Sequence, residues 1–259
     1  MPLAITTDLL KMGIVAVTLC GIGLAQQGNS SAPSLQSIVQ EMEKAQSEAH
    51  PQVSYQVIRE YRLFTTNTSA ADSEVIAKVD FRPPSSKDYD IEKRSGSTRG
   101  EQVVRRILDH EVESARKGKQ ARPDAVSSDN YEFTYAGESV FDGQPCYLLG
   151  LNPKRKQKDL ISGQAWVDKR SFLVRHIEGE ISKTPSWWLK KVRVKLVFAD
   201  VDGTWLQTSM EAVADVRLLG PHTLTSRILD YRSADVVASR APVPAGAHFQ
   251  NRSTTRTTQ

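Results

Sequence analysis

A two-residue apolar period runs through most of the chain between Val53 and Tyr231, and it limits the fold more than any other feature. Val53, Tyr55, Val57, Tyr61 and Leu63 alternate with Ser54, Gln56, Glu60 and Arg62. Val75, Ala77, Val79 and Phe81 alternate with Lys78 and Asp80, and Tyr89 and Ile91 sit beside acidic neighbours. Successive side chains of a strand point to opposite faces, so the pattern describes strands with one apolar and one wet face. The second half continues as hairpins: Tyr131, Phe133 and Tyr135, then Cys146–Leu151, Gln164–Asp168 and Leu173–Gly179. Val192, Val194, Leu196 and Phe198 follow, alternating with Arg193 and Lys195, and three further strands are expected at Trp205–Met210, Ala212–Leu218 and Thr223–Tyr231. Asp142-Gly143 and Asp202-Gly203 fall between alternating runs, where an Asp-Gly pair readily adopts the positive φ angles of a tight hairpin turn.

Two segments have helical spacing instead. Ser34 is placed to cap a helix whose stripe is Leu35, Ile38, Val39, Met42 and Ala45, ending before Pro51. A second helix is expected from Ser97 to Lys117, with Val103, Val104, Ile107 and Val112 on one face and charged residues on the other, followed by a loop over Ala121–Asp129. An antiparallel sheet of about ten strands curls rather than staying flat. Two amphipathic helices over one face would then enclose an apolar space. The expected fold class is α+β, mainly antiparallel β: a curved sheet forming an unclosed half β-barrel, with helices covering the apolar concave face.

The start of the chain predicts export. Lys11 precedes an apolar run from Met12 to Leu24, with Gly23-Leu24-Ala25 as a small-residue cleavage site. That run is shorter than the roughly 20 residues that span a bilayer core, so a signal peptide over 1–25, cut after Ala25, is expected. An uncleaved anchor or a core helix is the alternative. Lipidation at Cys20 is disfavoured by bulky Leu19 directly before it. With Cys20 removed, Cys146 is the only thiol, so the fold holds without an internal disulfide and Cys146 is expected as a small apolar strand residue. Residues 26–33 read as a linker, 34–235 as one domain, and 236–259, rich in Ser, Thr and Arg, as a disordered tail.

The formal charge of +4 is too small and dispersed to indicate nucleic acid, though it suits an anionic lipid surface. Catalytic and cofactor motifs are missing: there is no GxSxG elbow, P-loop, dinucleotide fingerprint or HExxH. His110-Glu111 lacks a second histidine four residues on, and His50, His176, His222 and His248 have no ligand spacing. Asp200-Val201-Asp202-Gly203 lacks the later acidic positions of a calcium loop. Asn67-Thr68-Ser69 and Asn251-Arg252-Ser253 match the glycosylation pattern, which matters only in a eukaryotic secretory host. Two segments stand out. Lys154-Arg155-Lys156-Gln157-Lys158 is a basic cluster at an expected hairpin tip, suited to lipid headgroups or an acidic partner. Trp187-Trp188-Leu189 follows Pro185; in a strand the two indoles would face opposite sides, so one could line an entrance.

Tyr131-Glu132-Phe133, the run from Asp142-Gly143-Gln144-Pro145-Cys146-Tyr147, the Leu151-Asn152-Pro153-Lys154 turn, Ala165-Trp166-Val167-Asp168 and Val174–Glu180 together resemble LolA-like outer-membrane lipoprotein-sorting proteins, in particular the divergent forms common in acidobacteria. Trp187–Lys190 and Gly203-Thr204-Trp205-Leu206 extend the likeness, which covers about Leu35 to Tyr231 and is specific from Tyr131 onward. The resemblance implies an unclosed β-barrel whose helices lid an apolar cavity that shelters lipoprotein acyl chains in the periplasm. It brings no catalytic residues. The long C-terminal tail and the first half depart from the best-known carriers.

The expected function is therefore a non-enzymatic periplasmic carrier for lipid or lipoprotein acyl chains, without cofactor or metal. Tyr61, Val79, Phe81, Tyr89, Phe133, Tyr135, Leu149, Val194, Leu196 and Phe198 are the expected acyl-cavity residues, joined by Met42 and Ile107 from the helices. Trp187 and Trp188 are expected at the entrance, and Lys154, Arg155, Lys156 and Lys158 at a headgroup or partner contact. Expected partners are acyl chains and envelope membrane proteins, with no nucleic acid, and the chain is expected to be a monomer. The alternative is an envelope scaffold or regulatory interaction protein that keeps the fold and fills the cavity with its own side chains; an aromatic content of 7% argues mildly against that.

Overall fold

The computed structural model describes residues 33–49, 51–65, 70–116 and 125–233, all within the second of two compact units, residues 33–259. The expected signal peptide, most of the linker, the tail, both glycosylation patterns, Cys20, His50 and His248 lie outside the described residues. The elements are α1 (Leu35–Glu48), β1 (Tyr55–Phe64), β2 (Ser73–Arg82), β3 (Ser86–Gly96), α2 (Thr98–Arg116), β4 (Tyr131–Phe141), β5 (Gln144–Pro153), β6 (Ile161–Asp168), β7 (Val174–Ile181), β8 (Leu189–Val201), β9 (Thr204–Val216) and β10 (Gly220–Ser233).

All ten strands form one curved sheet in the order β3-β2-β1-β10-β9-β8-β7-β6-β5-β4. Every neighbouring pair is antiparallel, and β3 and β4 remain separate edges, so the barrel does not close. The Asp-Gly turns are as read: Asp142 and Gly143 have φ of 49° and 72°, and Asp202 and Gly203 have 49° and 81°. Ser34 caps α1, its Oγ accepting from the Ser37 amide at 3.1 Å. Ser97 caps α2 in the same way, accepting from the Gly100 amide at 3.1 Å. Cys146 is a buried strand residue, as expected.

Two expectations are corrected. Trp205–Met210 and Ala212–Leu218 are one strand, β9, because β8 and β10 both keep pairing through Glu211. Trp187 and Trp188 lie in a turn before β8 rather than within a strand, so both indoles are exposed instead of facing opposite sides.

A single row of paired residues crosses the whole sheet: Arg94, Val75, Tyr61, Ser226, Met210, Leu196, Ile177, Ala165, Leu149 and Tyr135. Paired residues share a face, so this row fixes which side chains point the same way. The core on that face is in two clusters. Ile38, Val39 and Met42 of α1 pack with Tyr131, Leu149, Leu151, Ala165, Val167, Val174 and Ile177. Val104 and Leu108 of α2 pack with Val57, Tyr61, Val75, Ala77, Val79, Leu206 and Leu224. Each helix thus covers one half of the sheet's apolar face.

Candidate functional site: an apolar seam between two helix-covered halves

Burial along the cross-sheet row has a simple profile. Val75 and Tyr61 are buried in the α2 cluster, Ser226 is buried next to Tyr61, and Ile177, Ala165 and Leu149 are buried in the α1 cluster. Between them, on the central strands β9 and β8, Met210 and Leu196 are only half-buried. Leu196 and Phe198 lean on the α1 cluster, whereas Met210 and Ala212 lean on the α2 cluster. The middle of the face is therefore an apolar seam with core on each side. Apolar side chains left half-exposed between two packed layers are what an aliphatic ligand can cover.

One flank of the seam is charged. Arg59 of β1 sits on the apolar face yet is 8% exposed. Its Nη1 lies 3.2 Å from Glu111 Oε1 of α2, and its Nη2 donates to the Gln207 carbonyl at 3.2 Å. Gln207 pairs with Phe198, so the guanidinium meets the backbone beside the seam. Lys87 of β3 gives Glu111 a second cation at 2.5 Å. Burial alone would raise the Glu111 carboxyl; Lys87 and Arg59 outweigh it and hold the group below its ordinary value of 4.5. Burial, with Glu111 adding to it, pushes the Tyr61 phenol up against the opposing effect of Arg59. Burial likewise pushes Tyr55 up to about 12. The Tyr61 hydroxyl is buried beside the Arg59 guanidinium. A polar corner of Arg59, Tyr61 and Glu111 thus adjoins an apolar strip, an arrangement that suits an amphiphile better than a pure hydrocarbon.

The expected site residues divide into three groups. Met42, Tyr61, Val79, Phe81, Leu149 and Val194 are buried, all but Phe81 and Val194 inside the two clusters that the helices cover. Tyr89, Ile107, Phe133, Leu196 and Phe198 are half-buried; Leu196 and Phe198 belong to the seam. Tyr135, on edge strand β4, is 45% exposed and stands apart from the seam. Trp187 and Trp188 lie at one end of the sheet, and so do the basic residues. Lys154 and Arg155 are tied to the segment before β4, through the Ser128 carbonyl at 2.5 Å and the Asn130 side chain at 2.5 Å; Lys156 and Lys158 are exposed.

Sequence reading missed Arg59, Lys87, Met210 and Ala212. Arg59 has a legible signal, since it holds the inward phase between Val57 and Tyr61. Glu111 has one too: it lies three residues beyond Leu108 on the inward stripe of α2. Met210 and Ala212 become neighbours of Leu196 and Val194 only through the β8–β9 register.

Among the described residues no helix is long and apolar enough to cross a membrane. No family model matches the chain, and no curated protein matches it. Several solved structures are similar to it. An outer membrane lipoprotein-sorting protein domain from Vibrio parahaemolyticus is 13% identical, covering 77% of this chain and 93% of that one, with a TM-score of 0.42. The LolA superfamily protein NE2245 from Nitrosomonas europaea is 14% identical over 78% of this chain and 94% of its own, with a TM-score of 0.38. The MucA/MucB complex of Pseudomonas aeruginosa matches at 11% identity over 78% and 96%, with a TM-score of 0.27. All three scores lie below 0.5, and the fold described above stands on this chain's own strand order and register.

Proposed function

We propose that the chain is a non-catalytic envelope protein that binds the acyl chain of a lipid or lipoprotein between its sheet and its two helices, and that it carries such chains through the periplasm in lipoprotein sorting. The supporting observation is the seam: Leu196, Phe198, Met210 and Ala212 remain half-buried between two clusters that each have their own helix. Each methylene covered there contributes about 0.8 kcal/mol, so a seam a few side chains long can hold a fatty chain. Arg59 and the Tyr61 hydroxyl flank the strip where a carbonyl or anionic head would lie. The motif resemblance from Tyr131 onward and the apolar run after Lys11 agree with an exported carrier.

The test is binding of a fluorescent fatty-acyl probe by wild type and Leu196→Asp, with circular dichroism confirming that the variant is folded. Loss of binding in a folded variant is expected; equal binding rejects the seam as the site.

A second reading has its own observation. Met42, Tyr61, Val79 and Leu149, expected to line a cavity, are at most 1% exposed, filled in by the chain's own helices. That filling favours an envelope scaffold or regulatory interaction protein. Wild-type protein that ignores every acyl probe would make this the better reading.

A further inference from the structure

We infer that one end of the sheet docks on an anionic phospholipid surface. The inference rests on residues of that rim alone and does not require an acyl chain to be carried. Three connections that are far apart in sequence meet there. The β5–β6 connection joins the β7–β8 connection through Ser182, whose Oγ accepts from the Gln157 amide at 3.0 Å and donates to its carbonyl at 2.9 Å. The β7–β8 connection joins the β9–β10 turn through Arg217, whose Nε donates to the Trp187 carbonyl at 2.8 Å and whose amide donates to the Trp188 carbonyl at 2.8 Å.

This joining makes one apolar patch. Trp187 is 84% exposed, Leu218 is fully exposed, and Trp188 and Leu219 are exposed beside them. Leu218 has a φ of 69°, a region where turns ordinarily place Gly or Asn. A large apolar side chain is held at the tip where the backbone favours a small or polar one. Large exposed apolar residues that are clustered, rather than scattered, mark interaction surfaces. Tryptophan in particular concentrates at membrane–water interfaces, its ring apolar and its N–H polar.

The charge around the patch selects the partner. The segments 154–160, 182–190 and 217–220 carry seven basic residues and one acid, Asp159, which pairs with His110 of α2 at 3.1 Å. Asp129 flanks the rim before β4. Each basic residue near an anionic surface raises partitioning about fivefold. A second copy would bring two such basic rims together, so self-association is opposed by the same charges.

The experiment uses the full chain with vesicles of phosphatidylcholine, with and without phosphatidylglycerol, and a brominated phospholipid that quenches tryptophan on contact. Wild type is expected to be quenched when phosphatidylglycerol is present and to be released by salt. Leu218→Ser/Leu219→Ser, which keeps both rim tryptophans as reporters, should lose most of the quenching. Lys183→Gln/Lys190→Gln should weaken vesicle binding by about tenfold or more. Both variants should bind a soluble acyl probe like wild type in vesicle-free buffer, so failure of rim docking and failure of the carrier reading give different results. Variants quenched like wild type, or wild type left unquenched, overturn the inference. Dimers abolished by Leu218→Ser in unquenched protein would assign the patch to a second copy instead.

Discussion

Arg59 and Glu111 form an ion pair, Nη1 to Oε1 at 3.2 Å, between the apolar face of β1 and the underside of α2. The two helices are consequently held in different ways. On its inward stripe α1 meets the sheet with Ile38, Val39 and Met42. Along its own, α2 presents Val104 and Leu108 and then Glu111, beneath which Arg59 and Lys87 wait. Burying charges costs several kcal/mol per ion before their attraction offsets it, so the hold on α2 depends on ionisation in a way that the hold on α1 does not.

Acid should therefore loosen α2 before α1. The folded Glu111 carboxyl lies below its ordinary value of 4.5, so it binds its proton less readily folded than unfolded. Its contribution to stability is complete above pH 4.5 and is lost as pH falls through the lower folded value. Asp168, held down by the Ser171 and Arg170 amides and by Arg175 against the opposing effect of its burial, adds to the same acid loss from β6. Hydrogen exchange across this range should show α2 amides losing protection ahead of α1 amides. Equal loss in both helices would contradict the assignment of the pH dependence to Glu111.

The α1 half should behave as ordinary core. Met42 and Leu149 are both fully buried in one cluster, so Met42→Ala and Leu149→Ala should each cost about 2–5 kcal/mol in urea unfolding. Because they share that cluster, the double variant should depart from additivity. A cost below about 1 kcal/mol for either would mean that the half is looser than its burial indicates.

Gly163 and Gly179 pair across β6 and β7. A Cβ on Gly163 would stand 2.1 Å from the Glu178 carbonyl oxygen and 2.6 Å from the Gly179 Cα, both backbone atoms that cannot swing aside. Gly163→Ala should then cost at least the about 1–3 kcal/mol typical of overpacking. Gly143→Asn is the matched control: its φ is 72° but open space surrounds it, and Asn tolerates that region. Thermal unfolding should separate the two clearly.

How much of this was legible in the sequence depended on how local each cause is. Period two, the Asp-Gly turns and the Ser34 cap act within a few residues, and they located the strands, both tight hairpins and α1. The division of the apolar face into two clusters and a seam depends on pairings such as Leu196 with Met210 and Tyr61 with Ser226, which the one-dimensional pattern does not contain. Met42 and Leu149 look equally suitable for a cavity or a core in sequence; only the position of the helices makes them core. Arg59, a charged residue in the inward phase, conflicts with the alternation. That conflict was the signal, since it resolves only when a carboxylate such as Glu111 comes from elsewhere. The rim patch was half legible: Trp187-Trp188 stood out, whereas Leu218-Leu219 joined it only through Arg217.

The buried pair also predicts what its replacement should do. Glu111→Gln leaves Arg59 buried without its carboxylate; with the Glu111 side chain 25% exposed, the cost should fall near the low end for a broken buried pair, about 3 kcal/mol. Arg59→Met/Lys87→Met/Glu111→Leu removes the desolvation cost of all three charges and keeps apolar volume under α2. That triple variant should match wild type or exceed it, by up to about 4 kcal/mol, and should lose the early acid loosening of α2. If the polar corner also receives the head of an acyl ligand, the same variant should bind an uncharged acyl probe as well as wild type but bind fatty acid more weakly. Calorimetric titration with the two ligands measures that difference. Equal weakening for both would place the head elsewhere and leave Arg59 with a purely structural role.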